Sequence, residues 1–132
     1  MKTHVFRLHP GQDLRKEITA FVTKEKMHAA VIITCVGNLK KAVLRMADER
    51  IIKTYQGTFE IVSLVGTLEK GNSHLHIALS DKNGNVVGGH LKDGSIVGIT
   101  AEIVIGELSG VLFERVLDKE TRFKELVVKN TS

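Results

Sequence analysis

Apolar residues recur at helical spacing only once in this chain, and almost everything after that stretch is patterned for strands. Across residues 12–27, Leu14, Ile18, Phe21 and Val22 fall on one helical face, while Arg15, Lys16, Glu17 and Lys24 lie elsewhere. Asp13 stands where an N-cap is needed, because a short side-chain oxygen there can accept a free N–H of the first turn. Ahead of the helix, residues 4–8 alternate as a first strand, and Pro10-Gly11 ends it. Behind it, residues 29–36 form a continuous apolar run suited to a strand buried on both faces, interrupted by Gly37-Asn38. Residues 39–46 and 50–55 read as shorter strands, followed by 58–68, 73–79, 86–91, 96–105, 111–116 and a last piece at 123–128. One helix followed by a run of strands predicts an α+β fold, with the N-terminal helix packed on a mostly antiparallel sheet.

The chain has 132 residues, one proline and no Ser/Gly-rich linker, repeat or low-complexity segment, so a single domain over 1–132 is expected. No stretch approaches the ~20 apolar residues of a membrane span. Residues 1–10 lack the apolar core of a signal peptide, which predicts a cytoplasmic protein without membrane contact. Cys35 is the only cysteine, so an internal disulfide and a multi-cysteine zinc site are both excluded. Its apolar neighbours predict a buried, inert thiol. The formal net charge of +4 permits attraction to nucleic acid. The basic residues Arg15, Lys16, Lys24, Lys26, Lys40, Lys41, Arg45 and Lys53 are scattered, and most of them read as solvated surface.

The segment Ser73-His74-Leu75-His76-Ile77-Ala78-Leu79-Ser80 carries two of the six histidines. Alternation places Leu75, Ile77 and Leu79 on one face and His74, His76, Ala78 and Ser80 on the other. Asp81-Lys82-Asn83-Gly84-Asn85 then has Asp first and Gly fourth, the pattern of a type I turn followed by a left-handed glycine in a bulged hairpin loop. In that register Asp81 pairs with Asn85, His76 with His90 and Leu75 with Leu91, while Val87 joins Leu79 on the apolar side. A two-residue Asn83-Gly84 turn would instead turn His90 onto the apolar face, since a one-residue slip exchanges the faces. The hydrophobic pattern favours the first register. Directly opposed Cβ atoms lie ~5 Å apart and diagonal ones ~7–8 Å, so three imidazoles can converge on one ion. Three histidines with an open fourth position suit zinc or another borderline divalent metal. The alternative is a polar strand face whose histidines bond to water or to each other. Gly88 and Gly89 are expected to leave space beside His90. His4, His9 and His28 read as surface or strand-end residues.

In residues 97–105, Val97, Ile99, Ala101, Ile103 and Ile105 share one face while Thr100 and Glu102 share the other. If that second side faces the histidines, Glu102 is a candidate general base or ligand-orienting group. Otherwise it is an exposed or ion-paired carboxylate.

The motifs Val36-Gly37-Asn38-Leu39, Gly57-Thr58-Phe59-Glu60-Ile61-Val62-Ser63-Leu64-Val65-Gly66 and His74-Leu75-His76 resemble the plants-and-prokaryotes conserved (PPC) domain. So do Gly84, Gly88-Gly89-His90-Leu91, Thr100-Ala101-Glu102, Phe113-Glu114-Arg115 and Thr121-Arg122-Phe123-Lys124-Glu125-Leu126, so that the likeness covers nearly the whole chain. The resemblance implies an α+β subunit with an antiparallel sheet, a homotrimer, and metal binding at the histidines His74, His76 and His90. It also implies a DNA-associated role, which in plant members goes with AT-hook segments. The AT-hook core Arg-Gly-Arg-Pro is absent from this sequence, and Thr58 stands where plant members prefer Arg. The functions to be separated are a trimeric regulatory protein, with DNA as a partner, a divalent metal at the histidines and an unidentified small-molecule ligand, and a zinc-dependent enzyme. In the enzyme, water activated at the open metal position attacks and Glu102 is the base. A scaffold whose trimer interface is its whole function is the plainest option.

Overall fold

The structure is a computed structural model that describes residues 1–131. In chain order it contains β1 (Lys2–Leu8), α1 (Leu14–Lys24), β2 (Ala30–Arg45), β3 (Ile52–Glu69), β4 (Asn72–Ser80), β5 (Val86–Leu91), β6 (Ile96–Glu107), β7 (Val111–Leu117) and β8 (Lys124–Asn130). The first six strands form a sheet in the order β1-β6-β2-β3-β4-β5, while β7 and β8 make a separate hairpin. Every pairing is antiparallel. The α+β class and the single main helix therefore stand as expected. The sheet also curls: β5 pairs with β4 on one side and returns to β2 through Leu44–Leu91 and Arg45–His90 on the other.

Asp13 caps α1, accepting Lys16 N–H at 3.1 Å through one oxygen and Gly94 N–H at 2.7 Å through the other. An eleven-residue helix is marginal in isolation. Burial holds it in place: Leu14, Ile18 and Val22 are fully covered, each contributing ~1.5–3 kcal/mol. Phe21 stacks on Phe6 of β1 with ring centroids 4.2 Å apart. The helix stops at Lys24, before residue 27, because Lys26 enters the left-handed region (φ 55°) and Met27 N–H turns back to the Val22 carbonyl at 3.1 Å.

Four strand expectations change. Residues 30–45 form one continuous strand, because the Asn38 side chain is buried and its Oδ1 accepts Ile99 N–H at 2.7 Å, sealing the supposed interruption. Residues 52–69 likewise form one strand. The run at 29–36 is covered on one side only: Cys35 is buried, whereas Ile33 and Val36 are exposed. Register irregularities in β2 opposite β6 also break the alternation expected of 97–105. Val97, Ala101, Ile103 and Ile105 are buried, but Ile99 is 64% exposed.

The core lies inside the curled sheet under α1, where Leu39, Leu44, Leu68, Leu75, Leu79, Leu91 and Ile103 are among its fully buried side chains. No helix among the described residues is long and apolar enough to cross a membrane.

Candidate metal centre and its cleft

The β4–β5 hairpin builds the site, and its turn sets the register. Asp81 N–H donates to the Asn85 carbonyl at 2.9 Å, and Gly84 N–H donates to the Asp81 carbonyl at 3.0 Å. The Asp81 carboxylate accepts the N–H groups of Asn83 and Asn85, both at 2.9 Å. Gly84 takes φ 84°, a conformation that a side chain disfavours. From this turn His76 pairs with His90 and Leu79 with Val87, as the sequence predicts. Leu75, Ile77 and Leu79 face the core, while His74 and His76 are exposed and His90 is half-buried.

The three imidazoles converge. Ring centroids are 5.2 Å apart for His74–His76, 5.1 Å for His74–His90 and 5.5 Å for His76–His90. One nitrogen from each lies within 4.8 Å of the other two. Bonds of ~2.0–2.1 Å in a tetrahedral site place donors ~3.3 Å apart, so modest side-chain rotation closes the set on an ion. His90 Nδ1 is buried and has no hydrogen-bond partner among the described residues. A polar nitrogen in that position is costly unless something binds it. Burial, and then the charge of Arg45, push the His90 pKa down to about 4, with His74, His76 and Lys92 acting the same way. His74 is also lowered, first by burial and then by Arg115, His76 and Arg45, against an opposing pull from Glu125. These two imidazoles are thus held neutral, the form that binds a metal. The residues fit a borderline divalent cation, with a coordination position left for another ligand.

The glycines beside His90 sit where a close approach is expected. A Cβ on Gly89 would stand 2.7 Å from the Arg45 carbonyl, and one on Gly88 would stand 2.7 Å from the Ile77 carbonyl. What approaches is the chain's own backbone, and Gly89 is what lets β5 close on β2.

That closure brings Arg45, one of the scattered cations of the sequence, beside His90. A cleft of about 610 Å³ opens beside His74 and His90, with Arg15, Arg45, Arg115 and Lys124 among its walls. Arg15 is tied to Asp93 at 2.9 Å and to the Ser73 carbonyl at 3.0 Å. Arg115 on β7 donates to Glu69 at 2.7 Å and to Thr67 at 3.0 Å, fastening the β7–β8 hairpin to β3. Arg45 also lines a second hollow with His76 and His90. The register of β5 against β2 was the signal needed to find Arg45, and it arises between strands distant in sequence.

The other residues singled out lie elsewhere. Glu102 is exposed on β6, opposite Arg7 and Val36, and lines neither hollow. Cys35 is buried, and burial, followed by the Glu102 charge, pushes its pKa to about 12, so it is not a nucleophile. His4 is more constrained than a strand-end residue, with its Nε2 3.0 Å from Glu107 Oε1 and its ring edge-on to Phe21.

Residues 1–109 match the family model for the Plants and Prokaryotes Conserved (PCC) domain. The bifunctional protein GlmU of Synechococcus sp. (strain JA-3-3Ab) is 34% identical over 132 residues, which is 100% of this chain and 21% of that protein. The AT-hook motif nuclear-localized protein 8 of Arabidopsis thaliana is 25% identical over 112 residues, covering 78% of this chain and 29% of that protein. The chain thus spans less than a third of the length of these relatives. A hypothetical protein from Salmonella cholerae-suis has a similar structure, with a TM-score of 0.94, 39% identity, and coverage of 98% of this chain and 94% of that one. A metal-containing protein from Archaeoglobus fulgidus superposes with a TM-score of 0.83 at 31% identity, covering 96% and 94%.

Proposed function

Because this chain belongs to the Plants and Prokaryotes Conserved (PCC) domain family, we propose that residues 1–132 form one domain that assembles as a homotrimer in the cytoplasm, and that His74, His76 and His90 hold zinc or another borderline divalent metal. The buried, unpartnered Nδ1 of His90, inside a set of three converging imidazoles, carries this reading. The similarity to a metal-containing archaeal protein supports it. Elemental analysis of protein purified without added metal tests it. About one equivalent per chain is expected, and none in a His74→Ala, His76→Ala double variant. No bound metal, or equal metal in the variant, overturns the assignment.

The trimer rests on apolar surface that a lone copy leaves wet. Val5, Val36, Val62 and Ile99 are exposed on the main sheet, and apolar surface of that kind favours association. The β7–β8 hairpin exposes Val116, Leu117 and Val128, and a two-stranded unit gains stability by packing on something else. Monomeric sedimentation at micromolar concentration would exclude the trimer.

A regulatory, DNA-associated role is the reading that relatives with AT-hook names and the net charge of +4 favour. A gel-shift titration across salt tests it, and binding that disappears below physiological salt removes it. The cleft beside the open coordination position favours a second reading, a metal-dependent enzyme. There a bound metal would act as Lewis acid, and the arginines would position substrate. Glu102 serves as base only if a neighbouring copy carries it to the histidines, since within one chain it lines neither hollow. A Glu102→Gln variant that retains full activity would strike it from that role.

A further inference from the structure

Among the described residues, Arg45 is distinguished from the other two arginines of the cleft by its lack of an ion pair, although Arg15 Nε is also buried without a partner. Four cationic side chains line it against two carboxylates, Glu49 and Glu125. Arg15 and Arg115 already hold Asp93 and Glu69. Arg45 forms no ion pair among the described residues, and its Nε is buried without a hydrogen-bond partner. It also borders both hollows and pairs in register with His90, so its side chain lies beside the histidine cluster on the walls of both.

A guanidinium nitrogen removed from water and left unpartnered is destabilising, and a neutral ligand only partly relieves it. Its planar fork matches an oxyanion, either a carboxylate or a phosphate, in bidentate fashion. The cleft of about 610 Å³ is large enough for a small organic molecule. We propose that this site binds a small organic oxyanion, with Arg45 gripping the acid group and the rest of the ligand reaching the open side of the histidine cluster. The inference deepens the metal reading and rests on it in one respect: an ion held by His74, His76 and His90 provides the second point of attachment. Arg45 provides the first by itself, which allows the two readings to fail separately. Lys124 at the cleft wall adds positive charge without fixed geometry.

Calorimetric titration with malonate, inorganic phosphate and the neutral analogue malonamide tests this, on zinc-loaded and metal-free protein, after zinc stoichiometry has been measured. Malonate, phosphate or both are expected to bind, and malonamide is not. Saturation by malonate alone assigns a carboxylate ligand, and by phosphate alone a phosphoester. Arg45→Gln is expected to weaken the anion about tenfold or more, the size of a lost charge-assisted bond, while zinc content stays the same. Arg45→Lys keeps the charge, loses the fork, and should fall between Arg45→Gln and the parent. Anion binding that is equal in Arg45→Gln, or no tighter than malonamide, overturns the proposal and leaves the metal reading standing. Absence of zinc together with Arg45-dependent anion binding to the metal-free protein overturns the metal reading alone.

Discussion

Protonating His90 in the folded chain is harder than protonating a solvated imidazole, because burial and the Arg45 charge both oppose a second positive charge there. The sign of the pH effect follows. The unfolded chain takes up this proton near pH ~6.5, whereas the folded chain takes it up only near about 4. Folding stability is therefore complete above the unfolded value and declines as pH falls through this window. We expect metal-free protein, kept in chelator, to lose thermal stability between those two pH values. His90→Asn should flatten that decline. A melting temperature indifferent to pH across the window in the parent protein would show that His90 is not held neutral by its surroundings. The imidazoles themselves were legible in the sequence, because the turn that aligns them is only a few residues long and its chemistry is written in Asp81 and Gly84. The state of His90 was not legible, since it depends on burial in the folded sheet and on an arginine from another strand.

Two elements depend on contacts that cross the fold. The closure of β5 on β2 needs Gly89, whose missing Cβ leaves room for the Arg45 carbonyl. Gly89→Ala should push the strands apart at Arg45 and His90, weakening metal affinity about tenfold or more, as a displaced ligand environment does elsewhere. Metal titration followed by competition with a chelator measures this, and unchanged affinity would show that the closure does not position the site. The β7–β8 hairpin is held to β3 by the half-buried Arg115 and the buried Glu69, whose Oε2 has no partner among the described residues. Arg115→Met leaves the buried Glu69 carboxylate with only the Asn72 amide, at 3.1 Å, as a donor. Breaking one side of a buried pair costs ~3–5 kcal/mol, so urea unfolding should show a loss of roughly that size, smaller if water reaches Glu69. Proteolysis within residues 111–130 should quicken in parallel. The existence of β7 and β8 was readable from their apolar content. Their detachment from the main sheet was not, because strand spacing says nothing about which sheet a strand joins.

At the scale of the whole molecule, the main sheet has one covered face and one that carries valine and isoleucine into solvent. Ile99 is the clearest case: its spacing assigns it to the core, yet an irregular register opposite β2 turns it outward. Ile99→Glu should therefore leave the stability of the single chain nearly unchanged while shifting sedimentation toward the monomer. A large loss of stability with assembly intact would place Ile99 in the core after all. By itself the sequence determined the class of fold, the capped helix, the turn at 81–85 and the face that bears His74, His76 and His90. Each of these depends on residues only a few positions apart, through hydrogen bonds and alternation that the local chain enforces. Tertiary structure alone decided that Arg45 joins the histidines, that Glu102 lies away from them, that Asn38 seals β2 rather than breaking it, and that Ile99 faces outward. Those outcomes depend on how the sheet curls and where its register slips, and such long-range geometry is set by packing of the whole core rather than by any short stretch of residues.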